Sequence, residues 1–313
     1  MTTSNSVDFS ISRDDLIEAA LKHIAALGDG ETPSATQYTE ASLLLNMLVK
    51  AKMADGMPLW ALKTGYVLPT TGASSISLGP SGGAATLSYT QTTTSAAAAD
   101  GASTIVVTSA TGFTTTYYIG IEQDDGTMHW TTINGAPSGT TITLTAVLTD
   151  SVASGNKVYV YQTKLQRPLR IISSYLYNID DASKYEISIV AKKDFDSLGG
   201  GTDASVPNQV SYDPQLVDGI LGIYPRFYGG DDLIQIRFHR PFEDFDSSTD
   251  TPDFPQEYFL PLMVSLASLL APKNGVPLDE RKLLLQESKM IWDQALGNGT
   301  EEGSIYLSPN AGW

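Results

Sequence analysis

Gly79, Pro80, Ser81, Gly82 and Gly83 spell G-x-S-x-G, the spacing of a nucleophile elbow. That motif presents its serine on a sharp turn between a strand and a helix. Here "AATLSYTQT" follows, which reads as strand, so the stretch is a low-complexity linker rather than an elbow. The three histidines, His23, His129 and His239, fall in three separate segments with no partner four residues away. Neither a zinc site nor a Ser-His pair can be built from them, and the chain has no cysteine to supply a thiolate. Asp244, Asp246, Asp250 and Asp253 suggest calcium, but the Gly and Glu positions that complete an EF-hand loop are missing. Asp231-Asp232 after Gly229-Gly230 reads as a turn, with no second carboxylate placed opposite it. Arg226, Arg237 and Arg240 interleave with Tyr224, Phe227, Tyr228 and Phe238, a pattern that can stack nucleic acid bases. Alternation in "DLIQIRFHRPF" instead puts Leu233, Gln235, Arg237 and His239 on one face and Ile234, Ile236 and Phe238 on the other, as in a half-buried strand. No catalytic residue, cofactor or metal is expected.

Those residues need a scaffold, and 313 residues allow two domains or one with a sizeable insertion. A formal charge of −16 disfavours a phosphate-gripping surface, because such affinity comes from Lys and Arg displacing counterions. The N-terminal "MTTSNSVDFSISRDDL" shows no basic and then apolar leader, which points to synthesis in a cytoplasm. From Tyr258 to Pro272 the chain carries no charge. A bilayer span needs roughly 20 apolar residues, so this shorter run is not one. A helix apolar all round must be covered by protein on more than one side.

Ser12 with Asp15 and Ser34 with Gln37 are capping-box starts for two helices. The first is expected to stop at Gly28 and the second at Asp55-Gly56. No Lys or Arg occurs between Lys63 and Lys157, where Thr, Ser, Gly and Ala dominate. Short runs such as "STIVVTS", "YYIGIEQ", "TMHWTTI", "TITLTAV" and "KVYVYQ" predict a small antiparallel barrel or sandwich over 79–163, with Asp125-Gly126 at a hairpin tip. "GPSGGAA" and "TTTSAAAADG" read as linker. Strand patterns continue through "NQVSYDP", "GILGIYP" and "DLIQIRFHRPF". A last helix is expected over 279–296, with Leu283, Leu284, Met290, Ile291 and Ala295 inward. The fold class is α+β: a helical bundle from both chain ends, a β-rich middle and the inserted all-β module. The boundaries are 1–78, 79–163, 164–254, 255–296 and a C-terminal arm, 297–313.

Five stretches line up, in order, with one family. "DLIEAALKHIAALG…TEASLLLNMLVKAKMADGMPLWAL", "RPLRIISSYLYNID", "PNQVSYDPQLVDGILGIYP", "HRPFEDF" and "DFPQEYFLPLMVSLASLLAPKNGVP" resemble the head-to-tail adaptors of short-tailed bacteriophages, also called tail tubular proteins or tail accessory factors. The resemblance covers roughly 10–70 and 165–297. It implies a virion protein without enzymatic activity, forming a homo-oligomeric ring, usually of about twelve subunits, beneath the portal protein. Tail nozzle or fibre proteins would bind distally, and DNA would pass through the channel as cargo. The 79–163 insertion departs from the shortest members of the family.

Under that resemblance the bundle core would hold Leu21, Leu45, Leu262, Leu266 and Leu269. Pro255 would open the central helix and Pro261 would kink it. Ile305, Tyr306, Leu307 and Trp313 would anchor a partner-binding arm, because apolar groups in an aperiodic tail help only when something buries them. A rival reading is a tail-fibre or receptor-binding module whose β domain binds glycan through Trp130 and Tyr117. A glycan-degrading enzyme would need two facing carboxylates, and Asp100, Glu122, Asp124, Asp125 and Asp150 lie scattered across the insertion.

Overall fold

The computed structural model describes residues 5–28, 30–53, 59–199 and 203–297. In chain order, helices Arg13–His23 (α1) and Ala35–Lys52 (α2) lead into strands Leu62–Val67 (β1), Ser75–Leu78 (β2) and Ala85–Thr86 (β3). Next come Thr90–Thr93 (β4), Thr104–Val106 (β5), Tyr118–Glu122 (β6), Met128–Thr132 (β7), Thr141–Thr143 (β8) and Lys157–Tyr161 (β9). Arg170–Asn178 (β10), Lys184–Ile189 (β11), the short helix Lys192–Asp196 (α3), Ala204–Ser205 (β12), Gln209–Pro214 (β13), Gly219–Tyr224 (β14), Arg226–Phe227 (β15) and Asp232–His239 (β16) follow. Helices Phe259–Leu270 (α4) and Leu278–Gly297 (α5) come last. The chain is thus mixed α and β with a β-rich middle. Its described residues divide into two compact units: those within Leu62–Pro241, and those up to Ala61 together with those from Phe242 on.

Both capping boxes form. The Ser12 and Ser34 hydroxyls accept from the N–H groups of Asp15 and Gln37, whose side chains cap back. The first helix nevertheless ends at His23, well before Gly28, because Ala25 turns to φ 53° and the Ala26 N–H bonds back to the Leu21 carbonyl.

Within the helical unit, α1, α2, α4, α5 and the aromatic loop 242–254 share one apolar cluster. Leu21, Leu45, Leu262 and Leu266 are buried in it. Leu269 is not: it is 42% exposed, because α4 packs on α1, α2 and α5 through its other residues. Pro261 does not kink α4 either. The helix starts at Phe259, after a 3₁₀ turn at Gln256–Tyr258, so Pro261 sits in the first turn, where its missing N–H has no intrahelical partner to lose. The last helix buries Ser288, Trp292 and Ala295, while Leu283 and Met290 point outward, contrary to their expected inward placement. They lie on the side of α5 opposite the Ser288–Trp292–Ala295 face. Inside the cluster Trp292 Nε1 donates to Ser265 Oγ at 2.6 Å, and the Ser265 and Ser288 hydroxyls meet at 2.7 Å. That knot satisfies the polar atoms of Ser265, Ser288 and Trp292, while Arg281 Nε on α5 is buried without a partner.

In the β unit, eight strands order as β2-β14-β13-β11-β10-β16-β1-β3. The two edge strands, β2 and β3, are joined by the short connection 79–84, so the sheet is nearly closed and barrel-like. A second sheet, β4-β9-β6-β7, and the pair β5-β8 enclose a separate apolar cluster that includes Ile105, Ile119, Ile142 and Val158. The expected boundary at 78/79 therefore falls inside the larger sheet: 62–78 form strands of it, and β3, inside 79–163, pairs with β1. The segment with its own sheets is Thr90–Tyr161. Likewise the expected boundary after 254 moves to 241/242, since Phe242, Phe245 and Phe254 belong to the helical core. "TTTSAAAADG" is not linker: Ala98 bridges Val152, exchanging N–H···O bonds at 2.8 Å.

Leu266 and Leu269 provide an internal contrast. Leu266→Asp should cost at least about 3 kcal/mol, as for a charge buried without a partner, whereas Leu269→Asp should change monomer stability by less than about 1 kcal/mol. Urea denaturation of the two variants checks this.

Candidate functional site

The residues that could do chemistry are placed apart. Ser81 lies on an exposed turn between β2 and β3, and its backbone N–H donates to Asp218 Oδ1 at 3.1 Å. A strand follows the turn where an elbow needs a helix. His23 sits at the end of α1, His129 on β7 and His239 on β16. Asp250 Oδ2 accepts from the N–H groups of Asp246 and Ser247 at 2.8 and 2.6 Å, Asp253 accepts from Glu243 N–H at 3.1 Å, and Asp244 pairs with Lys50 at 2.5 Å. These carboxylates fold their own loop. Among the described residues no three His, Asp or Glu converge as a metal site.

The glycan pair Trp130 and Tyr117 is not assembled. Tyr117 lines a cleft of about 250 Å³ with Tyr89, Tyr161 and Gln162. The Trp130 ring is not part of that lining. It lies over Gly120, where an added Cβ would come within 2.5 Å of the ring, and tilts against Tyr161 at 5.7 Å. Only glycine at 120 permits this approach.

Trp130 instead belongs to an aromatic seam between the two sheets. Leu68, Tyr66, Tyr177 and Leu233 of the larger sheet meet Tyr89, Tyr118, Tyr159 and Tyr161 of the smaller. Tyr89 stands edge-on to Tyr66 at 5.2 Å and to Tyr159 at 6.0 Å. Lys157 closes one margin, pairing with Asp231 at 2.9 Å and donating to the Gly230 carbonyl. Burial pushes the Tyr89 hydroxyl up to about 12 and raises Tyr159 and Tyr161 further. The strand expected to be half-buried, β16, is covered on both faces. It lies between β10 and β1, and of its eight residues Arg237 alone is exposed.

Large apolar side chains are exposed in both units, among them Leu216 and Tyr185 in the β unit and a paired set on the helices. Leu43 and Met47 on α2, and Leu283 and Met290 on α5, are each between 56 and 64% exposed. In each helix the two side chains lie opposite the buried face, so α2 and α5 are apolar on two sides. In the sequence of α2, Tyr38, Ala41, Leu44, Leu45 and Leu48 make one apolar stripe, and Leu43 and Met47 fall outside it. No described helix is long and apolar enough to cross a membrane. Ile305, Tyr306, Leu307 and Trp313 lie outside the described residues. No protein-family model matches the chain, and no curated protein matches it either.

The seam has a pH signature. A buried phenol resists ionisation, so the unfolded chain loses these protons first. The Tyr89 contribution is complete below pH 10, the ordinary tyrosine value, and is lost as pH rises through about 12. Near-UV circular dichroism across that window should show the β unit loosening in the native protein and less so in Tyr89→Phe.

Proposed function

We propose that this chain is a structural head-to-tail adaptor of a short-tailed phage virion, without enzymatic activity. Copies made in the host cytoplasm would assemble as a ring, of about twelve subunits by the family resemblance, under the portal. The ring would continue the DNA channel and present the β unit to nozzle or fibre proteins. In this reading the helices from both chain ends form one bundle, which supplies the side-by-side contacts of the ring.

The observation that carries the proposal is the pair of outward apolar faces on α2 and α5. Monomeric soluble proteins seldom expose such stripes without a partner. Two non-equivalent faces on one chain give a heterologous contact, face to opposite face, which closes into a ring when the rotation per subunit permits. The −16 charge supports the channel role, since a wall that must release DNA should not hold its phosphates. The 297–313 arm, with its aromatic anchors, is proposed to grip the portal.

Light scattering of the purified protein, with and without portal rings, tests assembly. The native chain should move from monomer mass to ring mass on the portal. Leu283→Asp/Met290→Asp should remain folded by circular dichroism and fail to complete the ring. Truncation after Leu296 should preserve the fold and weaken portal capture. A double variant that assembles normally would remove α5 from the contact.

A further inference from the structure

At one end of the larger sheet, three cationic or hydrogen-bonding side chains share a face with no acidic counterpart paired to them. In the β10–β16 ladder Arg170 stands opposite His239, and Ser173 opposite Arg237; across β1, Thr64 faces Arg237 from the other side. Residues directly opposite in an antiparallel ladder project to the same side, as do residues two apart along one strand. Arg170, Arg237 and His239 therefore converge on one face, opposite the face where Ile171, Ile236 and Phe238 enter the sheet's apolar core.

The three differ in depth. His239 is only 7% exposed, and its Nδ1 has no hydrogen-bond partner. Both arginines are exposed, and neither forms an ion pair among the described residues. A buried ring nitrogen without a partner is costly. Beside it stand two guanidiniums that no described carboxylate of this acidic chain, with 35 acidic and 19 basic residues, has taken up. A ligand that accepts hydrogen bonds and carries negative charge would satisfy the ring nitrogen and pair both guanidiniums at once.

We propose that Arg170, Arg237 and His239 form a binding site for a single phosphate-type oxyanion. The imidazole Nδ1–H is the floor and the two guanidinium forks are the walls, with the Thr64 and Ser173 hydroxyls beside Arg237. Guanidinium forks match carboxylate and phosphate oxygens two at a time. A carboxylate has two oxygens and is filled by one fork. A tetrahedral phosphate has oxygens enough for both forks and for the ring nitrogen. Burial, together with Arg170 and Arg237, lowers the His239 pKa, so the ring is a neutral donor before the anion arrives. The site lies within one chain and does not require assembly. Two arginines are also too few to hold duplex DNA at physiological salt, since affinity there grows with the number of phosphates neutralised.

The test is a titration of the full chain with inorganic phosphate at constant ionic strength, followed by the NMR signals of the three histidines. The expected result is a saturable shift of His239 alone. Its pKa should rise on binding, because the anion offsets the two guanidiniums. Arg237→Gln and Arg170→Gln should each weaken binding about tenfold or more, the loss of a charge-assisted bond. His239→Asn, whose amide nitrogen can stand in for Nδ1, should keep more affinity than His239→Gln. Competition by a short duplex would assign the phosphate to nucleic acid, and its absence to a free or monoester phosphate. A His239 signal unmoved by phosphate, or moved equally in Arg237→Gln, would overturn the site.

Discussion

A helix with no charged residue on any side must be covered by protein over most of its surface, and the helical unit is organised by that constraint: in α4 only Leu260 and Leu269 are exposed. From Phe259 to Leu270 the only polar side chains of α4 are Ser265 and Ser268. Ser265 is locked by Trp292 and Ser288 from α5, while the Ser268 hydroxyl returns to the Ser265 carbonyl. Covering such a helix takes elements from both stretches of chain that make up the unit. Trp60, from the N-terminal stretch, stacks on Phe242 at 4.9 Å and lies within 5.8 Å of Tyr258. Leu16, Leu21 and Leu45 join Leu262 and Leu266 in the same cluster. Dispersion and area burial are summed here over many contacts, so no single one dominates.

The β unit answers a different problem: how a segment poor in charge stays attached to a sheet that has its own core. The smaller pair of sheets encloses Ile105, Ile119, Ile142 and Val158 and needs nothing from outside to bury them. Its attachment is a layer of tyrosines, whose rings supply area. Tyr161 donates to the Gly83 carbonyl at 2.6 Å. Lys157, the first cation after Lys63, is spent on the turn before β16.

Local chemistry was well written in the sequence. Capping boxes at Ser12 and Ser34, the Asp125-Gly126 tip and the runs of alternating residues each depend on neighbours a few positions away, and each formed. What failed depends on distant partners. Pro261 is innocuous only because the helix begins at Phe259, and β16 loses its solvent face only because strands and tyrosines from elsewhere cover it. Leu269, Leu283 and Met290 are apolar residues at helical spacing, and nothing in their own segments says that the faces they occupy are left uncovered. The anion site was half legible: alternation placed Arg237 and His239 on one face, while Arg170 arrives there only through strand pairing.

If the uncovered faces of α2 and α5 meet across neighbouring chains, the helical unit finishes in an assembly what it cannot finish alone. Absence of cysteine makes this directly measurable. Met47→Cys/Met290→Cys, bound to portal rings and oxidised, should give a disulfide ladder of multimers that ends in a closed ring. Monomer alone on a non-reducing gel, with the ring otherwise intact, would contradict the contact between those faces.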